Sequence, residues 1–211
     1  MLTVTTDAGK SIVLKKTVRK SPTLGMKAPE GAIVLFDGKK TDEINGGEVT
    51  QWGWLHTGKD NFIVSKRGFS SYILHVEFMT CFSPFCRGQS RGNSGCFQAN
   101  GEEIQVLDSF GLDGKVNEAG GIYKWRTPDV NMALPPLTWQ TYDIEYASGE
   151  NGEPPTMTVR HNGVVIHNRL KMKKPSRKGN IRFQKHKDWV QYRNLWILEV
   201  KPDLDPTTEG K

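Results

Sequence analysis

The sequence is short of cysteine, of helical periodicity and of long apolar runs. Cys81, Cys86 and Cys96 are the only cysteines among 211 residues, too few for a disulfide framework. No second ligand pair stands at zinc-site spacing, so buried or idle thiols are expected rather than a bridge or a metal. No apolar stretch approaches the roughly 18 residues of a membrane helix, which excludes a helical span. Met1 opens onto Thr3, Thr5 and Asp7 with no apolar core region, so no secretory signal is expected in this chain. A Gly-rich phosphate loop, a Gly-x-Ser-x-Gly elbow and an HExxH pair are all missing. Cys96 has no activating neighbours, which argues against a cysteine nucleophile.

What is present describes a globular chain with one sizeable core. Hydrophobic residues make up 36% and charged residues 25%, with a mean hydropathy of −0.54. The excess of 29 Lys+Arg over 23 Asp+Glu gives +6. That favours acidic partners in general. The basic residues are dispersed, however, apart from Lys171–Lys174 and Arg177–Lys178, and these read as a solvated loop beside Pro175. No nucleic-acid signature accompanies them, so nucleic acid is not an expected partner.

Short alternating segments separated by Gly, Pro, Asn and Asp recur along the chain. Tyr72, Leu74, Val76 and Phe78 alternate with Ile73, His75, Glu77 and Met79, the period of a strand with one buried face. Trp139–Ala147 behaves alike. Met157–Arg160 and Val164–His167 flank Asn162-Gly163, a hairpin turn in which both residues tolerate positive φ. Further strands are predicted at Ile12–Val18, Ile33–Phe36, Trp52–His56, Phe62–Ser65, Gly95–Ala99, Glu103–Ser109, Ile122–Trp125, Ile181–Gln184 and Val190–Val200. This spacing predicts an all-β sandwich or jelly roll. Residues 1–30 read as an N-terminal strand and connector packed on the sandwich, 31–200 as the main body, and 201–211 as a tail. Thr80–Asn93 and Gly111–Gly121 are long irregular loops, which in a compact sandwich usually build a site.

The segment Glu103-Ile104-Gln105-Val106-Leu107-Asp108 is the most informative one. Ile104 and Val106 suit the core, which turns Glu103, Gln105 and Leu107 to the other face. A bulge at Val106-Leu107 would bring Asp108 round to join Glu103 and Gln105. Two carboxylates and an amide on one concave face suit acid–base chemistry on a sugar. Residues that suit carbohydrate surround this strand: Glu77, Arg91, Asn93, Tyr123, Trp125, Trp139 and Arg193, with His186 as a titratable neighbour.

Leu35-Phe36-Asp37-Gly38-Lys39, Gly92-Asn93-Ser94-Gly95, Glu103 to Asp108, Trp139-Gln140-Thr141-Tyr142-Asp143, His161-Asn162-Gly163-Val164 and Tyr192-Arg193-Asn194-Leu195-Trp196 occur in that order. Together they resemble the 3-keto-disaccharide hydrolase domain family over roughly residues 30–200. The resemblance implies a concanavalin-like jelly-roll β-sandwich of two antiparallel sheets, a sugar on the concave sheet, and a bacterial protein that is secreted or periplasmic. Glu103 to Asp108 is similar to the Glu-x-Asp-x-x-Glu strand of laminarinase-type glycosidases, with Gln105 in place of the middle acid and Asp108 of the last. The chain departs from the family at Gln184-Lys185-His186-Lys187, where an Asp and a Gly are expected, and at Ala119, where relatives often carry cysteine.

The implied activity is cleavage of a glycoside oxidised at C3, in which the ketone acidifies C2–H and lets the C1 group leave. Glu103 is then the expected base and Gln105 orients the sugar. Arg91 or Arg193 stabilises the oxyanion, and Asp108 or His186 acts as acid. No cofactor is required by the sequence, and a divalent metal is a possible replacement for the arginine. The alternative is a non-catalytic, lectin-like carbohydrate-binding module. A conventional two-carboxylate glycosidase and an interaction domain rank behind both.

Overall fold

The computed structural model describes residues 2–15, 17–39, 42–187 and 189–200. Its strands in chain order begin with β1 (Leu2–Thr5), β2 (Ser11–Leu14), β3 (Ile33–Phe36), β4 (Ile44–Asn45) and β5 (Glu48–Val49). Next come β6 (Leu55–His56), β7 (Phe62–Ser65), β8 (Tyr72–Met79), β9 (Ser94–Phe97) and β10 (Glu103–Val106). The last are β11 (Gln140–Ala147), β12 (Thr156–His161), β13 (Val164–Lys171), β14 (Arg182–Gln184) and β15 (Gln191–Glu199). Two short 3-10 turns, at Gly88–Ser90 and Glu150–Gly152, are the only helical segments among the described residues.

Every pairing is antiparallel, and the body is a jelly-roll sandwich. The smaller, five-stranded sheet runs β10-β9-β14-β7-β4. The larger, eight-stranded sheet runs β13-β12-β11-β8-β15-β6-β5, with β3 also against β15. The core lies between them. Tyr72, Leu74, Val76 and Phe78 of β8, with Tyr142, Ile144 and Tyr146 of β11, meet Ile104 and Val106 of β10 and Phe183 of β14. All are essentially without solvent contact, as the two-residue period requires.

Tyrosines from the large sheet tie the two layers together. Tyr142 Oη donates to the Gln105 carbonyl at 2.7 Å, and Tyr192 Oη lies 2.6 Å from Ser94 Oγ. Each buried hydroxyl thereby keeps a partner, which avoids the cost of an unpaired polar group. The first of these bonds fixes β10 from beneath at Gln105, two residues on from Glu103. The Asn162-Gly163 turn adopts φ of 51° and 80°, the left-handed pair that joins β12 to β13 as the sequence requires.

The N-terminal region differs from expectation. The strand expected at Ile12–Val18 is β2, which pairs only with β1, and every residue of that hairpin's strands is exposed rather than packed on the sandwich. The connector that follows does pack, through Ser21–Met26, on the outer face of the large sheet. The expected strand at Ile122–Trp125 is reduced to isolated bridges of Ile122 with Ile104 and Arg126. Cys81, Cys86 and Cys96 are free thiols. The expected tail, 201–211, lies outside the described residues.

Candidate functional site

The outer face of the five-stranded sheet holds the side chains that alternate away from the core. Register places Glu103 opposite Phe97 and Gln105 opposite Gly95, with Arg182 beyond Phe97. Gly95 matters because it has no side chain: a Cβ there would collide with Glu103 Oε1. The Glu103 carboxyl therefore leans into the gap that Gly95 leaves on the sheet. Burial pushes its pKa up to about 7, against a smaller opposing pull from Lys124 and Lys174.

Gly120 to Tyr123 runs beside β10 on its open edge. Gln105 N donates to Gly121 O at 2.9 Å, and Tyr123 N donates to Glu103 O at 3.0 Å. This brings Tyr123 and Trp125 next to Glu103. With Phe97, Gly101, Lys173 and Lys174 they line a cleft of about 260 Å³ at the carboxyl. A larger cavity of about 380 Å³, bounded by Ser70, Ser71, Ser148 and Glu199, has no aromatic wall.

The Thr80–Asn93 loop supplies the other border. Gln105 Nε2 donates to Asn93 Oδ1 and to Gln89 Oε1, both at 3.1 Å. Those two amides are themselves anchored on backbone carbonyls, Asn93 Nδ2 on Gln89 O and Gln89 Nε2 on Asn117 O. A carbonyl only accepts, so each anchored amide must turn its oxygen to Gln105, and Gln105 must answer with its NH2. Its own oxygen, buried, has no partner among the described residues. Arg91 donates to Asp108 at 2.8 Å, and Asp108 is almost wholly buried. Leu107 is buried as well, so strict alternation ends at Val106, where β10 ends. Asp108 is therefore the partner of Arg91 rather than a free second carboxyl. His186, two residues beyond β14, is half-buried, with an unpartnered buried Nδ1.

Three expected site residues lie elsewhere. Glu77 and Arg193 belong to β8 and β15 of the large sheet, and Trp139 stacks under the Arg193 guanidinium, 4.1 Å from the ring centre. This is the outer face of the opposite layer, with the whole core between it and Glu103. Alternation had rightly turned Glu77 away from the core, but toward the other side of the sandwich. There Arg193 Nε donates to Glu77 at 2.7 Å, and His75 Nδ1 sits 2.6 Å from Asp143. The connector closes over them: Thr23 donates to Asp143 at 2.6 Å and Gly25 N to Glu77 at 2.5 Å. Glu77, buried, and Trp139 and Arg193, half-buried, thus form a separate cluster on the outer face of the large sheet.

Sequence reasoning missed Gln89, Lys173, Lys174 and the space left by Gly95. Gly95 had a visible signal, a small residue at an outward strand position. Gln89 had none, since it acts from a loop. Among the described residues no three His, Cys, Asp or Glu groups converge.

Residues 31–198 match the family model described as a 3-keto-alpha-glucoside-1,2-lyase-like domain. The chain belongs to this family. A candidate glycosyl hydrolase of Parabacteroides distasonis superposes with a TM-score of 0.74 at 31% identity, covering 90% of this chain and 93% of that one. Another from the same organism gives 0.61 at 22% identity, over 80% and 99%. The carbohydrate recognition domain of Emp47p gives 0.54 at 13% identity, over 82% and 97%, a likeness of fold alone. No curated protein sequence matches the chain. Family and fold together make this a glycosyl-hydrolase-like jelly roll, and no helix among its described residues is long and apolar enough to cross a membrane.

Proposed function

We propose that the protein cleaves 3-keto-glucosides by elimination followed by hydration, with Glu103 as the base. The supporting observation is a single carboxyl on the outer sheet face, raised to about 7 by burial and opening on an aromatic-walled cleft. A carboxylate of that pKa is a stronger base than a solvated one and is still half ionised at neutral pH. The reacting ring would lie over Gly95 against Gln105, with its C1 substituent in the cleft between Phe97, Tyr123 and Trp125.

Glu103 takes the proton from C2, and the C–H electrons move to the ketone as an enolate. The enolate collapses to a C1–C2 double bond as the C1 oxygen leaves and takes a proton. Water then adds across this bond, its oxygen to C1, while C2 takes back the proton from Glu103 and the carboxylate is restored. Arg91, held by Asp108, is the group to meet the enolate oxygen, whereas Arg182 on the same face stacks on Phe62 and Phe97. His186 serves as the acid for the leaving oxygen. Arg193 drops out, since it faces the opposite way.

The test is turnover of methyl 3-keto-α-glucoside and its unoxidised parent. Wild type should release product only from the ketone, with kcat/KM rising through a pKa near 7 as Glu103 ionises. Glu103→Gln should lose about 10³-fold or more. Intact turnover by that variant would refute the assignment. Saturable binding of both sugars without any product would favour the lectin-like module instead.

A further inference from the structure

The basic run near the C-terminal end takes no part in the proposed chemistry, yet half of it faces the cleft. Lys171 turns outward to Glu153 at 3.1 Å, Met172 is buried, and Lys173 and Lys174 line the cavity beside Glu103. Lys173 Nζ sits 5.0 Å from the Trp125 ring centre, and Lys174 Nζ donates to the Gly101 carbonyl at 2.8 Å. Lys124 is exposed just outside this lining, with its Nζ 5.3 Å from the Tyr123 ring centre. None of these three lysines belongs to an ion pair among the described residues.

The carboxyls within the cleft do not neutralise them. Glu102 is buried and occupied, accepting from Asn100 Nδ2 at 2.7 Å and from the Lys173 backbone N at 3.2 Å. Glu103 resists ionisation because of its burial. Two ammonium groups in the lining and a third beside it, set against Glu102 and a Glu103 that resists ionisation, leave a positive local field. A wholly neutral glycoside would use the aromatic walls and leave that field unanswered.

We propose that the cleft selects glycosides whose C1 substituent carries an anionic group, a carboxylate or a phosphate, met by Lys173 and Lys174. This rests on reading the Glu103 face as the glycoside site. The anion belongs on the substituent because Gln105 and Gly95, under the reacting ring, are not cleft residues, whereas Lys173 and Lys174 are. Lysine suits the task, since a point charge on a flexible stem accepts either anion without a fixed fork geometry.

The experiment is calorimetric titration with unoxidised phenyl α-glucosides bearing a para carboxylate, a para phosphate or a para carboxamide. The anionic pair should bind about tenfold more tightly than the isosteric amide at low salt. That advantage should shrink as sodium chloride is raised. In Lys173→Met/Lys174→Met the anion-to-amide ratio should fall to about one, with the fold checked by its melting midpoint. The ratio between carboxylate and phosphate tells which anion the site prefers. Equal affinities in wild type, a preference that survives in the double variant, or no saturable binding of any of the three would overturn the proposal. Because binding is read without turnover, an inert 3-keto substrate would sink the catalytic reading alone.

Discussion

The two outer faces of this sandwich carry the same residue type in opposite states. Glu103, on the small sheet, is half-buried, its carboxyl accepts no hydrogen bond among the described residues, and its pKa rises to about 7. Glu77, on the large sheet, is also buried, which alone would raise it. Hydrogen bonds from His75, Asn194, Arg193 and the Gly25 backbone outweigh burial and bring it to about 2. One carboxyl has every lone pair answered and is locked as an anion; the other keeps its proton affinity for use. What separates a structural acid from a reactive one here is partner count, since both are largely withdrawn from water.

The sharpest way to break the comparison is to empty the satisfied side. Glu77→Leu leaves the half-buried Arg193 guanidinium and the Gly25 amide without their carboxyl and takes from His75 one of its two carboxyl partners. Removing one member of a buried ionic group costs about 3–5 kcal/mol, to be read as a lower urea midpoint. The fraction that stays folded should keep its kcat, because this cluster lies across the core from Glu103. A large kcat loss at full folding would show that the faces are coupled.

His75 comes next. Burial alone would lower its pKa, but hydrogen bonds to Asp143 and Glu77 more than offset that and raise it above the ordinary histidine value. A group raised in the folded state stabilises below its unfolded pKa, and that stability is lost as pH rises through the folded one. The urea midpoint should therefore fall as pH rises above the ordinary histidine value of about 6.5 in wild type, and this fall should be missing in His75→Gln. Identical pH profiles for the two would remove His75 as the cause.

For Glu103 the sign reverses. Its folded pKa exceeds the value of about 4.5 for a free glutamate, so ionising it costs stability as pH climbs from about 4.5 to 7. Glu103→Gln, inactive, should be more stable than wild type at pH 8, by about 1 kcal/mol once solvent screening is discounted. At pH 4 the difference should vanish. A destabilised Glu103→Gln at pH 8 would place Glu103 with the structural acids after all.

Much of the fold was legible because alternation reports burial directly. Ile33–Phe36 and Phe62–Ser65 are strands over those same residues, and the hairpin at Asn162-Gly163 has the backbone its residues require. Alternation says which residues leave the core of their own sheet, but not which sheet a strand joins. That is why Glu77, Trp139 and Arg193 were grouped with Glu103: a strand's outward face is written locally, and the sandwich side it looks toward is set by long-range pairing. The buried state of His75 and Glu77 was equally invisible, since it depends on Ser21–Met26 arriving from more than fifty residues away in sequence to cover them. Glu103, Gln105 and Asn93 were found together because strand period and adjacent register were enough to join them.

The mildest substitution tests how the reactive carboxyl is held. Gly95 lies on a central strand with ordinary extended backbone, so Gly95→Ala introduces no strain of its own. The added methyl meets the end of the Glu103 side chain, which has room to swing away through its own torsions. Stability should consequently shift by less than about 1 kcal/mol. Activity should respond far more, because the carboxyl leaves the recess where it is desolvated: kcat/KM should drop by about 10–100-fold, and its pKa should move back toward about 4.5. The pH–rate profile separates this from general damage. A variant that loses activity yet keeps a limb near 7 has lost something other than the burial of Glu103, whereas a limb moved to lower pH ties the rate to the gap that a glycine leaves in the sheet.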